Sequence, residues 1–170
     1  RALDWLKDGP GAPWFVWVHC FDPHEPYAPP SPYDARFAQS PYDGEVAYVD
    51  EALGPLFDHL EAAGLLDRTL VVLTGDHGES LGEHGETTHA YFAYNATIWI
   101  PLIVLVPGRP AGRAEDYVAH MDIVPTICDL TGTERPPWLE GVSSLPLATG
   151  GRPLSLDEVR QEVARRRGER

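Results

Sequence analysis

Two short apolar runs separated by one amphipathic helix constrain this chain more than any other feature. Trp14-Phe15-Val16-Trp17-Val18 is aromatic and β-branched without alternation, and Leu70-Val71-Val72-Leu73 has the same unbroken apolar character. Such runs suit strands buried on both faces. Between them, apolar positions recur at helical spacing from Gly44 to Ala63: Val46, Val49, Leu53, Leu56, Phe57 and Leu60. Asp43 is placed to cap the start of this helix and Gly64 to close its end. Strand, loop, helix, strand predicts a right-handed βαβ crossover with parallel strands. The loops that follow both strands then open at one edge of the sheet, where open α/β sheets bind ligands. Leu102-Ile103-Val104-Leu105-Val106 predicts a third buried strand, ended by Pro107-Gly108, and Ile123 to Leu130 a short helix closed by Gly132. The expected class is α/β, a mainly parallel sheet flanked by helices.

Length and charge narrow the function. A chain of 170 residues with 43% apolar content holds one core of ordinary size. No apolar run approaches the ~20 residues of a membrane-spanning helix. A net charge of −13 argues against nucleic acid or an anionic membrane as partner. An anionic ligand would therefore need a locally positive pocket. Five of the seven histidines fall in two windows, His19 to His24 and His77 to His89, and supply the means for one. Cys20 and Cys128 form no spaced motif and are expected to be buried as small hydrophobes. The chain begins at Arg1 within a helical pattern (Ala2, Leu3, Leu6), as a piece of something longer would. Periplasmic, secreted and cytoplasmic locations all stay open, as does the oligomeric state.

The chemistry concentrates after the Leu70–Leu73 run. Gly75-Asp76-His77-Gly78-Glu79-Ser80-Leu81-Gly82-Glu83-His84-Gly85 sets a carboxylate beside an imidazole among four glycines. Carboxylate oxygen and imidazole nitrogen are both metal-ligand types, and glycine lets the backbone turn tightly around them. Asp76 and His77 are the candidate metal ligands. His24 lies in Phe21-Asp22-Pro23-His24-Glu25-Pro26-Tyr27, where flanking prolines stiffen the loop and pre-orient the ring for binding or proton transfer. His89 is placed to reach the same crevice. His19 is a candidate support that orients a ligand or the loop, and His84 is placed to line the crevice or brace the loop. Tyr27 is expected to pack, and His59 and His120 to be structural or peripheral. Ser155-Leu156-Asp157-Glu158 fits a capping box that opens a basic terminal helix toward Arg167.

Taken together, the Phe21–Tyr27 motif and Thr74-Gly75-Asp76-His77-Gly78-Glu79-Ser80-Leu81-Gly82-Glu83-His84-Gly85 resemble the sulfatase family of the alkaline phosphatase superfamily. Ile100-Pro101-Leu102-Ile103-Val104 with Pro107-Gly108, His120-Met121-Asp122-Ile123-Val124-Pro125-Thr126 and Leu139-Glu140-Gly141-Val142-Ser143 are similar to its later pattern. The resemblance covers most of residues 2–150. It implies an alkaline-phosphatase-like sheet, incomplete in this chain, with residues 1–150 as a partial catalytic domain and 151–170 as a basic helical tail. It implies that Asp76 and His77 hold one divalent ion, calcium first, with magnesium, manganese or zinc also compatible. It implies that His24 contacts a sulfate oxygen or assists the leaving group. His89 stands where many sulfatases carry a sulfate-contacting lysine, so a single-donor imidazole replaces a full charge.

The family's nucleophile lies in a Cys- or Ser-x-Pro-x-Arg motif, converted to formylglycine in sulfatases, and these 170 residues contain no such motif. The expected function is therefore that of a sulfatase fragment, inactive by itself, whose parent acts on a small-molecule or saccharide sulfate ester. A phosphoryl or phosphonate ester hydrolase or transferase of the same superfamily is the alternative. A non-catalytic binding domain that lost the nucleophile is the third reading.

Overall fold

The computed structural model describes residues 1–148 together with Glu158 and Gln161. The chain divides into two compact units, Arg1–Arg68 and Thr69–Arg170.

The first unit is built on one long helix. Helix α1 spans Ala2–Lys7, α2 spans Tyr33–Arg36 and α3 spans Pro41–Ala62. Both short helices pack on α3, with Leu6 and Leu60 buried. The α3 start differs from the expected Gly44 with an Asp43 cap. Ser40 is the N-cap and Pro41 opens the first turn. Proline suits that turn because its fixed φ is helical and its missing N–H would have no partner there. The α3 end agrees with expectation. Gly64 takes φ +62, its N–H bonds the Glu61 carbonyl at 2.9 Å, and the Leu65 N–H bonds the Leu60 carbonyl at 2.8 Å. This pair of bonds is the Schellman closure, which needs a left-handed residue after the last helical one.

The proline-rich segment before α3 packs closely on it. A Cβ placed on Gly44 would stand 2.8 Å from the Pro29 ring, so glycine at 44 lets that segment approach the helix. Tyr33 is buried, and its hydroxyl donates to the Glu51 carboxylate on α3. That hydrogen bond raises the Tyr33 pKa above the usual phenol range, aided by burial and the Glu51 charge.

The Trp14–Val18 run does not form the strand expected of it. The backbone there pairs with nothing among the described residues, and Phe15 and Trp17 are 75% and 81% exposed. A strand exists through its ladder partners, and apolar composition alone does not supply them. Cys20, two residues beyond this run, is exposed rather than buried, whereas Cys128 is buried as expected.

The second unit carries the sheet. Strand β1 (Val71–Thr74) pairs with β2 (Leu102–Leu105), in the register Val71↔Leu105 to Thr74↔Leu102. The pairing is antiparallel, so the parallel βαβ crossover is not formed among the described residues. The β2 side chains alternate: Ile103 and Leu105 are exposed, and Leu102 and Val104 half-buried. One face of β2 is covered, not both. Between the strands lies the short helix α4, Asn95–Ile98. Beyond β2, the Arg109 N–H closes a turn on the Val106 carbonyl at 3.1 Å. Helix α5 (Ile123–Thr131) ends at Gly132 with φ +70, as its sequence requires, and α6 spans Leu145–Ala148. The expected capping box at Ser155 and the basic terminal helix lie outside the described residues, apart from Glu158 and Gln161.

Replacing Gly64 with alanine forces an L-residue into the left-handed region. The variant is expected to be about 1–2 kcal/mol less stable by urea denaturation.

Candidate active site

Strand β1 delivers the Asp-His pair. Gly75 follows Thr74, and the chain bends at Asp76 and His77. The Asp76 carboxylate accepts the His77 N–H at 3.0 Å. His77 Nδ1 lies 2.8 Å from the Gly78 carbonyl oxygen. A carbonyl only accepts, so Nδ1 carries the proton and Nε2 carries the lone pair. Fixing one ring nitrogen in this way is how ligating histidines are oriented. Nε2 stands 3.7 Å from Asp76 Oδ2. Two donors at about 2.3 Å from one ion, subtending roughly 105°, stand about 3.7 Å apart. The pair therefore fits a shared divalent ion. Among the described residues, no set of three or more His, Cys, Asp or Glu side chains forms a metal cluster.

Gly78 ties this loop to the rest of the unit. Its N–H bonds the Thr97 carbonyl in α4 at 2.8 Å. A Cβ at this position would overlap the Ala96 carbonyl oxygen, so the approach is open only to glycine.

Glu79 was read as part of the motif without a role of its own. Its side chain is 6% exposed, and its two oxygens lie 3.2 and 3.1 Å from His89 Nδ1. Oε1 also accepts the Ser80 N–H at 3.1 Å. An ionised carboxylate only accepts, so His89 donates from Nδ1. The His89 ring then lies against His77, with centroids 4.0 Å apart and planes tilted by 34°. The next residue, Ala90, adopts φ +90, a strained region for alanine of the kind that gathers at functional sites. Both imidazoles line an open hollow of about 400 Å³, walled by Tyr91, Phe92, Thr97 and Ile98.

The rest of the loop is braced internally. Ser80 is buried, and its hydroxyl reaches the Glu83 and Glu86 carbonyls at 3.2 and 3.1 Å. The Glu83 carboxylate accepts the Leu81 N–H at 2.7 Å. Backbone hydrogen bonding, with Leu81 first, holds the Glu83 carboxyl below the usual carboxylate range. The His84 ring stacks on Tyr94, with centroids 4.0 Å apart. His120, expected to be structural or peripheral, puts Nε2 2.7 Å from the Gly75 carbonyl oxygen, a structural place.

His19 and His24 belong to the first unit. His19 is exposed on the extended segment. The His24 ring stacks on Phe21 at 4.4 Å, and its Nδ1 donates to the Glu25 carbonyl at 2.7 Å. Tyr27 packs edge-to-face on Tyr42, as expected. The loop is clamped by Glu45 of α3, which is 3% exposed. Its Oε2 accepts the His24 N–H at 3.0 Å and its Oε1 the Ala28 N–H at 2.7 Å. Sequence reasoning passed over Glu45. The available signal was its position on the helical face of Val49 and Leu53, where a carboxylate is out of place unless it is hydrogen-bonded.

Two outcomes test this geometry. Gly78→Ala is expected to lower stability by about 1–3 kcal/mol through overpacking against the 96–97 backbone, read by chemical denaturation. Glu79→Ala removes the acceptor for His89 Nδ1, and ¹⁵N NMR of the imidazole is expected to show the ring shifting toward the Nε2–H tautomer.

Comparison with known proteins places these features in a lineage. The multifunctional alkaline phosphatase superfamily protein PehA of Trinickia caryophylli is 29% identical over 90% of this chain and 41% of its own length. Choline-sulfatase of Rhizobium meliloti (strain 1021) is 33% identical over 69% of this chain and 23% of its own. The crystal structure of the phosphonate monoester hydrolase of Agrobacterium radiobacter superposes with a TM-score of 0.81 at 26% identity, over 89% of this chain and 41% of that one. The chain thus spans less than half the length of each. Its α/β class and its alkaline-phosphatase-like fold agree with expectation. Residues 1–133 match the Sulfatase family model, and the chain belongs to the sulfatase family.

Proposed function

We propose that this chain supplies the metal-ligating side of a metal-dependent sulfuric ester hydrolase. The observation that carries the reading is the placing of Asp76 beside His77, with the His77 and His89 rings together lining one hollow. Asp76 and His77 hold the divalent ion, calcium first. When bound, the ion neutralises charge that develops on the oxygens of the transferred group. Its donors are oriented before it arrives: His77 through the Gly78 carbonyl, and the loop through the Gly78–Thr97 bond. His89 is held by Glu79 in the way a carboxylate holds a catalytic histidine, with one tautomer and one ring orientation. It contacts an oxygen of the transferred group or the leaving group. His24, in the first unit, keeps the role that the resemblance assigns, contact with a sulfate oxygen or assistance to the leaving group. The substrate is a small-molecule or saccharide sulfate ester. Residues 1–150 are read as part of the catalytic domain and 151–170 as a basic tail.

A second reading has a specific observation in its favour. His89 stands where a sulfate-contacting lysine is expected, and the TM-score of 0.81 is to a phosphonate monoester hydrolase. A phosphonate or phosphate monoester hydrolase of the same superfamily fits both facts.

Three measurements test these readings. With two protein ligands, Ca²⁺ or Mn²⁺ is expected to bind weakly, with Kd on the order of 10⁻³ M by calorimetry, and not at all in His77→Ala. Because these 170 residues hold no nucleophile motif, the chain by itself is expected to leave 4-nitrophenyl sulfate intact; turnover above the His77→Ala control overturns this. Titration with phenyl sulfate is expected to shift the His89 ring resonances more than phenyl phosphonate does, and the reverse order favours the second reading.

A further inference from the structure

The geometry points to His120 as a positioning residue for the Asp76-His77 pair, acting through the carbonyl of Gly75. The motif His120-Met121-Asp122-Ile123-Val124-Pro125-Thr126 served above only as a mark of the family. In the structure it forms a built corner. His120–Asp122 is a single 3₁₀ turn leading into α5. The Asp122 carboxylate accepts two backbone N–H groups, from Ala119 at 2.9 Å and from Val142 at 2.7 Å. Thr126 Oγ1 donates to the Asp122 carbonyl at 2.5 Å and accepts the Ser144 N–H at 2.8 Å. Gly141 lies so close that a Cβ there would overlap the Met121 carbonyl oxygen. The corner therefore holds still while His120 reaches out from it.

What His120 reaches is the peptide unit that launches Asp76. Its Nε2 lies 2.7 Å from the Gly75 carbonyl oxygen, across 45 residues of sequence. The carbonyl of Gly75 and the N–H of Asp76 belong to one planar unit. Fixing the direction of the oxygen fixes the direction in which the Asp76 Cα leaves the strand. Gly75 itself imposes little, because glycine has no preferred turn. Among the described residues, the other donor nearby is Thr74 Oγ1, 3.1 Å from the Gly75 oxygen but 2.9 Å from the Pro101 oxygen. One hydroxyl proton serves one acceptor, and Pro101 is the nearer. That leaves His120 as the group that sets the Gly75 carbonyl. The role is to hold a flexible glycine peptide so that the Asp76 carboxylate and His77 Nε2 converge.

The test uses the full chain and two variants. His120→Ala removes the donor. His120→Gln keeps an N–H donor at a similar reach. The first readout is residue-resolved amide hydrogen exchange, which needs no metal. His120→Ala is expected to speed exchange at His77 and Gly78 by about tenfold or more, with Val72, Leu73 and the α5 amides unchanged, and Gln is expected to restore protection. The second readout is Mn²⁺ affinity by electron paramagnetic resonance, expected to be about tenfold weaker in His120→Ala and recovered in Gln. Unchanged exchange at 77–78, or a uniform rise that also covers β1 and α5, overturns the proposal, since the latter marks a structural role only. The second readout rests on the metal reading of Asp76 and His77. If the unaltered chain binds no Mn²⁺, that reading fails alone, and hydrogen exchange still decides the positioning role.

Discussion

The candidate site depends on a backbone contact that only glycine permits. Gly78 lies against the 96–97 backbone, with its N–H on the Thr97 carbonyl and no room for a Cβ beside the Ala96 oxygen. Four residues earlier, Thr74 pairs with Leu102 in the β1–β2 ladder, and the Thr74 hydroxyl reaches the Pro101 carbonyl. The stretch 74–78 is thereby fastened at both ends to 97–102. Asp76 and His77 sit in the middle of a closed span rather than on a free loop. A site held this way loses less conformational entropy when it binds, since the backbone is ordered beforehand.

Three acidic side chains act as fasteners, one in the first unit and two in the second. In the first, Glu45 takes the N–H groups of His24 and Ala28. In the second, Glu79 takes the Ser80 N–H and the His89 imidazole, and Asp122 takes the N–H groups of Ala119 and Val142. A buried carboxylate is costly unless its oxygens are satisfied, and charge-assisted bonds to N–H groups are about twice as strong as neutral ones. This bears on the puzzle of an anion site in a chain of net charge −13. Some of the acidic groups are spent on the backbone, and each histidine loop is organised by one of them. Charge counted over the whole sequence therefore says little about the field at the hollow beside His77 and His89.

Local signals were legible in the sequence, and pairwise ones were not. The closures at Gly64 and Gly132 were readable because a left-handed glycine after a helical pattern has a mechanism contained within six residues. The Asp76-His77 pair was readable because the motif is contiguous. The 14–18 strand was misread because strand formation depends on a partner, and hydrophobic composition is silent about which partner is present. Glu79, Glu45 and His120 escaped for a related reason. Their functional partners lie 10, 21 and 45 residues away. No spacing rule links such pairs; only the folded backbone brings them together. The partial exception is Glu45, whose place on an apolar helical face was itself a signal.

The two candidate metal donors differ in how firmly each is held, and this decides what the surrounding motifs contribute. The His77 side chain is 40% exposed, and its ring is fixed by the Gly78 carbonyl and the His89 ring. The Asp76 side chain is 85% exposed, and its carboxylate is turned toward the backbone by the His77 N–H that it accepts. Its direction is inherited from the backbone on either side. On one side the Gly78–Thr97 bond sets that backbone, and on the other the Gly75 carbonyl does. An exposed carboxylate becomes a useful ligand when its Cα is fixed, because its remaining freedom is then two rotatable side-chain bonds. The orienting element is thus the peptide frame around Asp76, which ties the His120–Thr126 and Leu139–Ser143 segments, far away in sequence, to the Asp-His loop.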